Sequence, residues 1–82
     1  MWKNPMWRNA KQKWEYCELI YIGSGEEEYR LNFYAPSGGL NYAIKADDRG
    51  RTIAQLGIDG WELVASSIEE SHEALYFKRP LS

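Results

Sequence analysis

The side chains best equipped for chemistry in this 82-residue chain are few and scattered. His72 stands among Glu69, Glu70 and Glu73, a grouping that could make an acid–base pair or a metal site. It has no second histidine, and a solvated turn between two strands accounts for it better. Cys17 is the single cysteine, so no internal disulfide is possible and no Cys/His group has metal-ligand spacing. A thiol becomes a nucleophile only with a lowered pKa and a basic neighbour; in mid-strand beside Leu19, Cys17 reads as a small buried hydrophobe. Gly23-Ser24-Gly25 lacks the Gly-Lys-Ser/Thr ending of a phosphate loop, and Glu26, Glu27 and Glu28 behind it repel phosphate, so it reads as a hairpin turn. No catalytic constellation and no cofactor motif emerges, and the chain is expected not to be an enzyme.

Two features suit binding. Arg49 and Arg51 fall in the first turn of an expected helix, where free backbone N–H groups help hold a phosphate or carboxylate. Tyr42 is the aromatic candidate for the same ligand site, while Asp47 and Asp48 compete for those N–H groups as caps. The other feature is the N-terminal arm, which mixes Trp2, Trp7 and Trp14 with cations. Such mixtures bind single-stranded nucleic acid or a membrane surface, but docking on the same or a neighbouring subunit is the better reading for so short a segment.

Charge separates the arm from the rest. Residues 1–13 hold Lys3, Arg8, Lys11 and Lys13 and no acid, hence +4; residues 14–82 hold six basic and twelve acidic residues, hence −6, and the sum is the net −2. An acidic body repels duplex DNA. With 15% aromatic residues, the chain has too much large apolar material to stay disordered. No apolar run approaches the roughly 20 residues that span a bilayer, and the N-terminus lacks the continuous apolar stretch of a signal peptide. A lone cysteine fits a reducing, cytoplasmic location, and a phage or plasmid origin would give the same features.

The elements that must position these groups follow from periodicity. Residues 1–13 form the arm, with Asn4-Pro5 as the start of a short helix; residues 14–82 form one domain. Trp14 to Ile22 is the first strand, with Trp14, Tyr16, Ile20 and Ile22 on one face and Cys17, Leu19 and Tyr21 on the other, a pattern of burial on both sides. Tyr29 to Tyr34 alternates as a half-buried strand, and Leu40 to Ile44 is its hairpin partner. Asp47 or Asp48 caps a helix whose body runs Arg49 to Leu56, with Gly57 in the left-handed position after it. Trp61 to Ile68 is a strand with Trp61, Leu63 and Ala65 on one face and Val64 and Ile68 on the other. Glu69 to Glu73 is a turn, and Ala74 to Arg79 is the last strand, stopped by Pro80. The class is α+β: an antiparallel β-sheet of four to five strands with one short α-helix packed on one face, in the order β-β-β-α-β-β. Trp61, Tyr16 and Phe77 are read as core.

Three segments carry a resemblance: Lys13-Trp14-Glu15-Tyr16, Leu56-Gly57-Ile58-Asp59-Gly60-Trp61-Glu62-Leu63-Val64 and Tyr76-Phe77-Lys78-Arg79-Pro80-Leu81. In that order they resemble the small bacterial and phage domain-of-unknown-function family 4177, over about residues 13–81. The resemblance implies a compact sheet-and-helix domain and no particular activity. The basic arm and the segment from Pro36 to Ile44 depart from the family pattern.

A helix of about nine residues is ~14 Å long, whereas a five-stranded sheet is roughly 20 Å wide. The face opposite the helix is expected to carry Val64, Ile68 and Tyr76 beside one apolar set of the first strand. Exposing such a face is costly, so self-association is expected, as a homodimer or higher oligomer, with Trp2, Trp7, Val64, Ile68 and Tyr76 at the interface. Two functional classes lead: a non-catalytic, self-associating module that binds a protein partner, and a binder of a small anionic, nucleotide-like ligand at a subunit seam. A phage protein that sequesters a host signal would have the second form.

Overall fold

Strand propensity and helix propensity alternate along the chain as the periodicity requires. The computed structural model describes residues 12–23 and 28–81. The elements are β1 (Trp14–Tyr21), β2 (Tyr29–Ala35), β3 (Gly38–Ile44), α1 (Arg49–Ile58), β4 (Glu62–Glu69) and β5 (His72–Pro80), with a short 3-10 segment at Ala46–Asp48 leading into α1. The five strands form one antiparallel sheet in the order β3-β2-β1-β5-β4, so the α+β class and the element order are those expected. The arm with Trp2, Trp7 and the Asn4-Pro5 helix start, and Ser24 to Glu27 of the first turn, lie outside the described residues.

β1 occupies the centre because it alone has a large apolar set at alternate positions on both faces. Its odd-numbered set is the buried one: Leu19 is 0% exposed and Cys17 is also buried. Leu31, Leu75, Phe77 and Trp61 close around them, and α1 contributes Leu56 with Ile53 beside it. Burying this set, at about 25 cal/mol per Å² of apolar surface, is the main force holding helix to sheet. The even-numbered set is not buried to match. Tyr16, read as core, is exposed on the opposite face, whereas Trp61 and Phe77 are buried as expected.

Two local readings are corrected. Gly57 lies within α1, and the positive φ that ends the turn falls on Gly60, at +94°. The N–H of Trp61 can then donate to the C=O of Leu56 (2.9 Å), which folds the indole beneath the helix. In β4 the alternation breaks. Leu63 pairs with Phe77, but Ala65 pairs with Tyr76, so a bulge at Val64 inserts one residue. Downstream positions are thereby inverted: Ile68 pairs with Glu73 and lies on the helix side, not beside Tyr76.

α1 has ten residues and spans about 15 Å at 1.5 Å per residue. It roofs the middle of the sheet and leaves Leu40 and Tyr42 on β3, and Leu63 and Ile68 on β4, exposed. Among the described residues no helix is long and apolar enough to cross a membrane.

Candidate functional site

The open face of the sheet is assembled by register. β1 sends Trp14, Tyr16, Glu18 and Ile20 to it; cross-strand pairing places Tyr76 and Asn32 on either side of Glu18, and Lys78 beside Tyr16. Tyr34, two residues beyond Asn32, joins them from β2. At the centre, Glu18 accepts a hydrogen bond from Asn32 Nδ2 (2.8 Å). The Tyr34 phenol is pushed up to about 12, first by desolvation and then by the Glu18 carboxylate beside it, while more than half of the residue is exposed. Lys78 Nζ sits 4.0 Å from the Trp14 ring centroid, a cation–π contact.

A cleft of about 370 Å³ opens at one end of this face, lined by Trp14, Tyr16, Tyr34, Pro36 and Leu81, with Glu15 at its side. The cleft follows from the ladder. Pairing of β1 with β2 stops at Cys17 and Phe33, while β1 stays paired with β5 as far as Trp14 and Pro80. The next positions on β2 lead into Pro36, which has no N–H to donate. The start of β1 therefore lies level with the β2–β3 turn without pairing to it, and the step is walled by aromatic rings. Glu15 is held on the other side by Arg79, whose Nε donates to it at 2.7 Å, whose Nη1 donates to the Asp59 carbonyl at 2.8 Å, and whose guanidinium lies 4.4 Å from the Trp61 ring centroid.

The groups singled out in the sequence are dispersed. Arg49 is bound twice by Glu73, at 3.0 and 2.7 Å, and lies 5.8 Å from the Tyr29 ring. That pairing holds the Glu73 carboxyl below its usual range; burial and Glu73 together raise the Tyr29 phenol. Arg51 points to solvent with Asp48 at 3.1 Å, and Asp48 makes no side-chain cap bond. Tyr42 packs edge-on against Phe33, 6.0 Å between centroids. None of these three lines the aromatic cleft. Val64 and Tyr76 are exposed, Ile68 faces the helix side, and Trp2 and Trp7 lie outside the described residues.

His72 is in β5 opposite Glu69, in a strand and not a turn, and Glu73 is committed to Arg49. Among the described residues no group of three or more His, Cys, Asp or Glu side chains is placed to hold a metal. Burial pushes the Cys17 thiol up to about 12, which leaves no thiolate at neutral pH. The cleft itself was missed in the sequence; its one signal was the even-numbered aromatic set of β1 facing Tyr34 and a proline. Comparison with protein-family models, with curated proteins and with solved structures gives no match.

Proposed function

We propose that the chain is a non-catalytic, self-associating binding module, and that the face opposite α1, around Trp14, Tyr16 and Tyr34, is the surface it offers to a protein partner. One observation supports this above the rest: open aromatic rings concentrate on a face that no element among the described residues roofs. Trp14, Tyr16, Tyr34 and Tyr76 are 37, 51, 54 and 38% exposed. At about 200 Å² per ring, they leave about 350 Å² of aromatic surface in one place. Patches of that scale on small proteins are often functional. It is less than half of the ~800 Å² that each side of a standard interface buries, so it suits a short extended segment seated in the cleft better than a broad face. Tyrosine and tryptophan give large, rigid contact at low entropic cost.

A small anionic ligand receives less support, because Glu73 occupies Arg49 and Asp48 competes for Arg51. The non-catalytic character is supported by an inert thiol and by the absence, among the described residues, of a base beside a nucleophile. A reducing, cytoplasmic setting goes with a single thiol. The resemblance to the domain family adds no activity to this reading. The test is a displayed random-peptide library panned on the protein. Enriched peptides are expected to carry aromatic or proline residues and to lose about tenfold or more in affinity for a folded Tyr16→Ala/Tyr34→Ala double variant. No enrichment, or enriched peptides indifferent to the double variant, counts against the proposal.

A further inference from the structure

A row of unmatched backbone groups runs along β3. The Ile22 N–H donates to the Glu28 carbonyl (2.9 Å), so even-numbered residues of β1 turn their backbone polar groups toward β2. The register continues without a shift through β2 into β3. It therefore aims the N–H and C=O of Leu40, Tyr42 and Ile44 at β2, and those of Gly39, Asn41 and Ala43 out of the sheet. β3 is the end of the strand order, so these three donors and three acceptors have no strand partner among the described residues.

Proteins blunt such edges with charge, proline, a bulge or a cover. β4, at the other edge, has Glu62, Glu69 and the bulge at Val64. Among the described residues β3 has none of these. Gly38 to Ile44 contains no charged residue and no proline, its pairing has no bulge, and Leu40 and Tyr42 are 63 and 49% exposed.

We infer that β3 pairs with β3 of a second copy, antiparallel, about a two-fold axis at Asn41. The inference gives the proposed self-association its contact, and rests on that half of the proposal alone. Centred there, Gly39 meets the partner's Ala43, Asn41 meets the partner's Asn41, and Ala43 meets the partner's Gly39. Each pair exchanges both N–H···O=C bonds, which satisfies every group in the row. Sliding the register by two residues leaves groups unmatched at both ends. Between these pairs Leu40 lies against the partner's Tyr42 on the helix side, and symmetry repeats the contact. A foreign strand would have to match the same spacing by chance, whereas a second copy matches by symmetry. The axis is perpendicular to the sheet, so two five-stranded sheets become one continuous sheet with both aromatic clefts on the same side.

The test combines sedimentation equilibrium with amide hydrogen exchange on the full chain across a concentration series. The expected result is a dimer in which the Gly39, Asn41 and Ala43 amides slow as concentration rises, while the outer edge of β4 does not change. Asn41→Pro removes the central outward N–H and leaves the β2 ladder intact; Leu40→Lys adds charge beside the axis. Each is expected to weaken association by about tenfold or more. A dimer whose edge amides are indifferent to concentration overturns the inference and leaves self-association standing. Single chains at every concentration overturn both. The wild-type exchange data decide the matter if either variant fails to fold, and the peptide selection judges the aromatic face separately.

Discussion

Glu73→Gln removes the negative charge at the far end of a contact that ties the start of α1 to β5. In the native chain two guanidinium N–H groups of Arg49 reach the two carboxylate oxygens, at 3.0 and 2.7 Å, with the Arg49 and Glu73 side chains 34 and 19% exposed. Glutamine keeps one acceptor and sets an N–H₂ donor against the second guanidinium nitrogen. One charge-assisted bond is lost and the other becomes a weaker neutral-acceptor bond. Bonds to charged groups contribute about 1.5–3 kcal/mol each, but Arg49 is a third exposed and solvent screens part of this. The expected cost is about 1–2 kcal/mol, which at roughly 4–8 °C per kcal/mol for a domain of this size lowers Tm by about 4–16 °C. The sign with pH follows from Glu73, whose folded pKa is depressed chiefly by Arg49. Its contribution is complete above the usual carboxylate range and is lost as pH falls through the lowered value. Thermal unfolding followed by circular dichroism should therefore show a wide gap between wild type and variant at neutral pH that narrows on acidification. Equal melting temperatures at neutral pH, or a gap that widens in acid, would refute the reasoning.

Two further outcomes test the core and the chemistry. Leu19→Ala, at a position 0% exposed, is expected to cost about 3 kcal/mol in urea unfolding, whereas Ile58→Ala, at a position 78% exposed, should stay within about 0.5 kcal/mol. Comparable losses at both sites would show that Leu19 is not the centre of the core. Cys17, buried with its thiol raised to about 12, should react with an aromatic disulfide reagent only as fast as the protein unfolds. Prompt native reaction at neutral pH would contradict that environment.

Much of the fold was legible because alternation is a local property. Tyr29, Leu31 and Phe33 point one way whatever lies above them, and Asp47-Asp48 before a helical period marks a start. What was not legible depended on insertions or on distant partners. Val64 is one valine among neighbours that look equally regular, yet it is the inserted residue, and an alternation carried through it puts Ile68 on the wrong face. Gly57 and Gly60 are equally permissive in sequence; the structure gives the left-handed turn to Gly60, where a Cβ would meet Arg79 Cδ at 3.4 Å. Arg49 looked free for an anion because Glu73 is 24 residues away, beyond any local pattern. Tyr16 looked like core because large aromatics in strands usually are; only placing the helix decides which parity of a central strand is covered.

The position of β1 has a consequence for how the chain reaches this state. The earliest of the described strands is the middle plank of the sheet, and Trp14 pairs with Pro80, 66 residues further along the chain. A chain without β5 has β1, β2 and β3 with one flank of β1 unfilled, so closure of the sheet waits for β5. Long-range pairing of this kind slows the search for the native arrangement. It also makes β5 indispensable: a protease that removed it would lay bare the greasy centre and leave β4 without a partner.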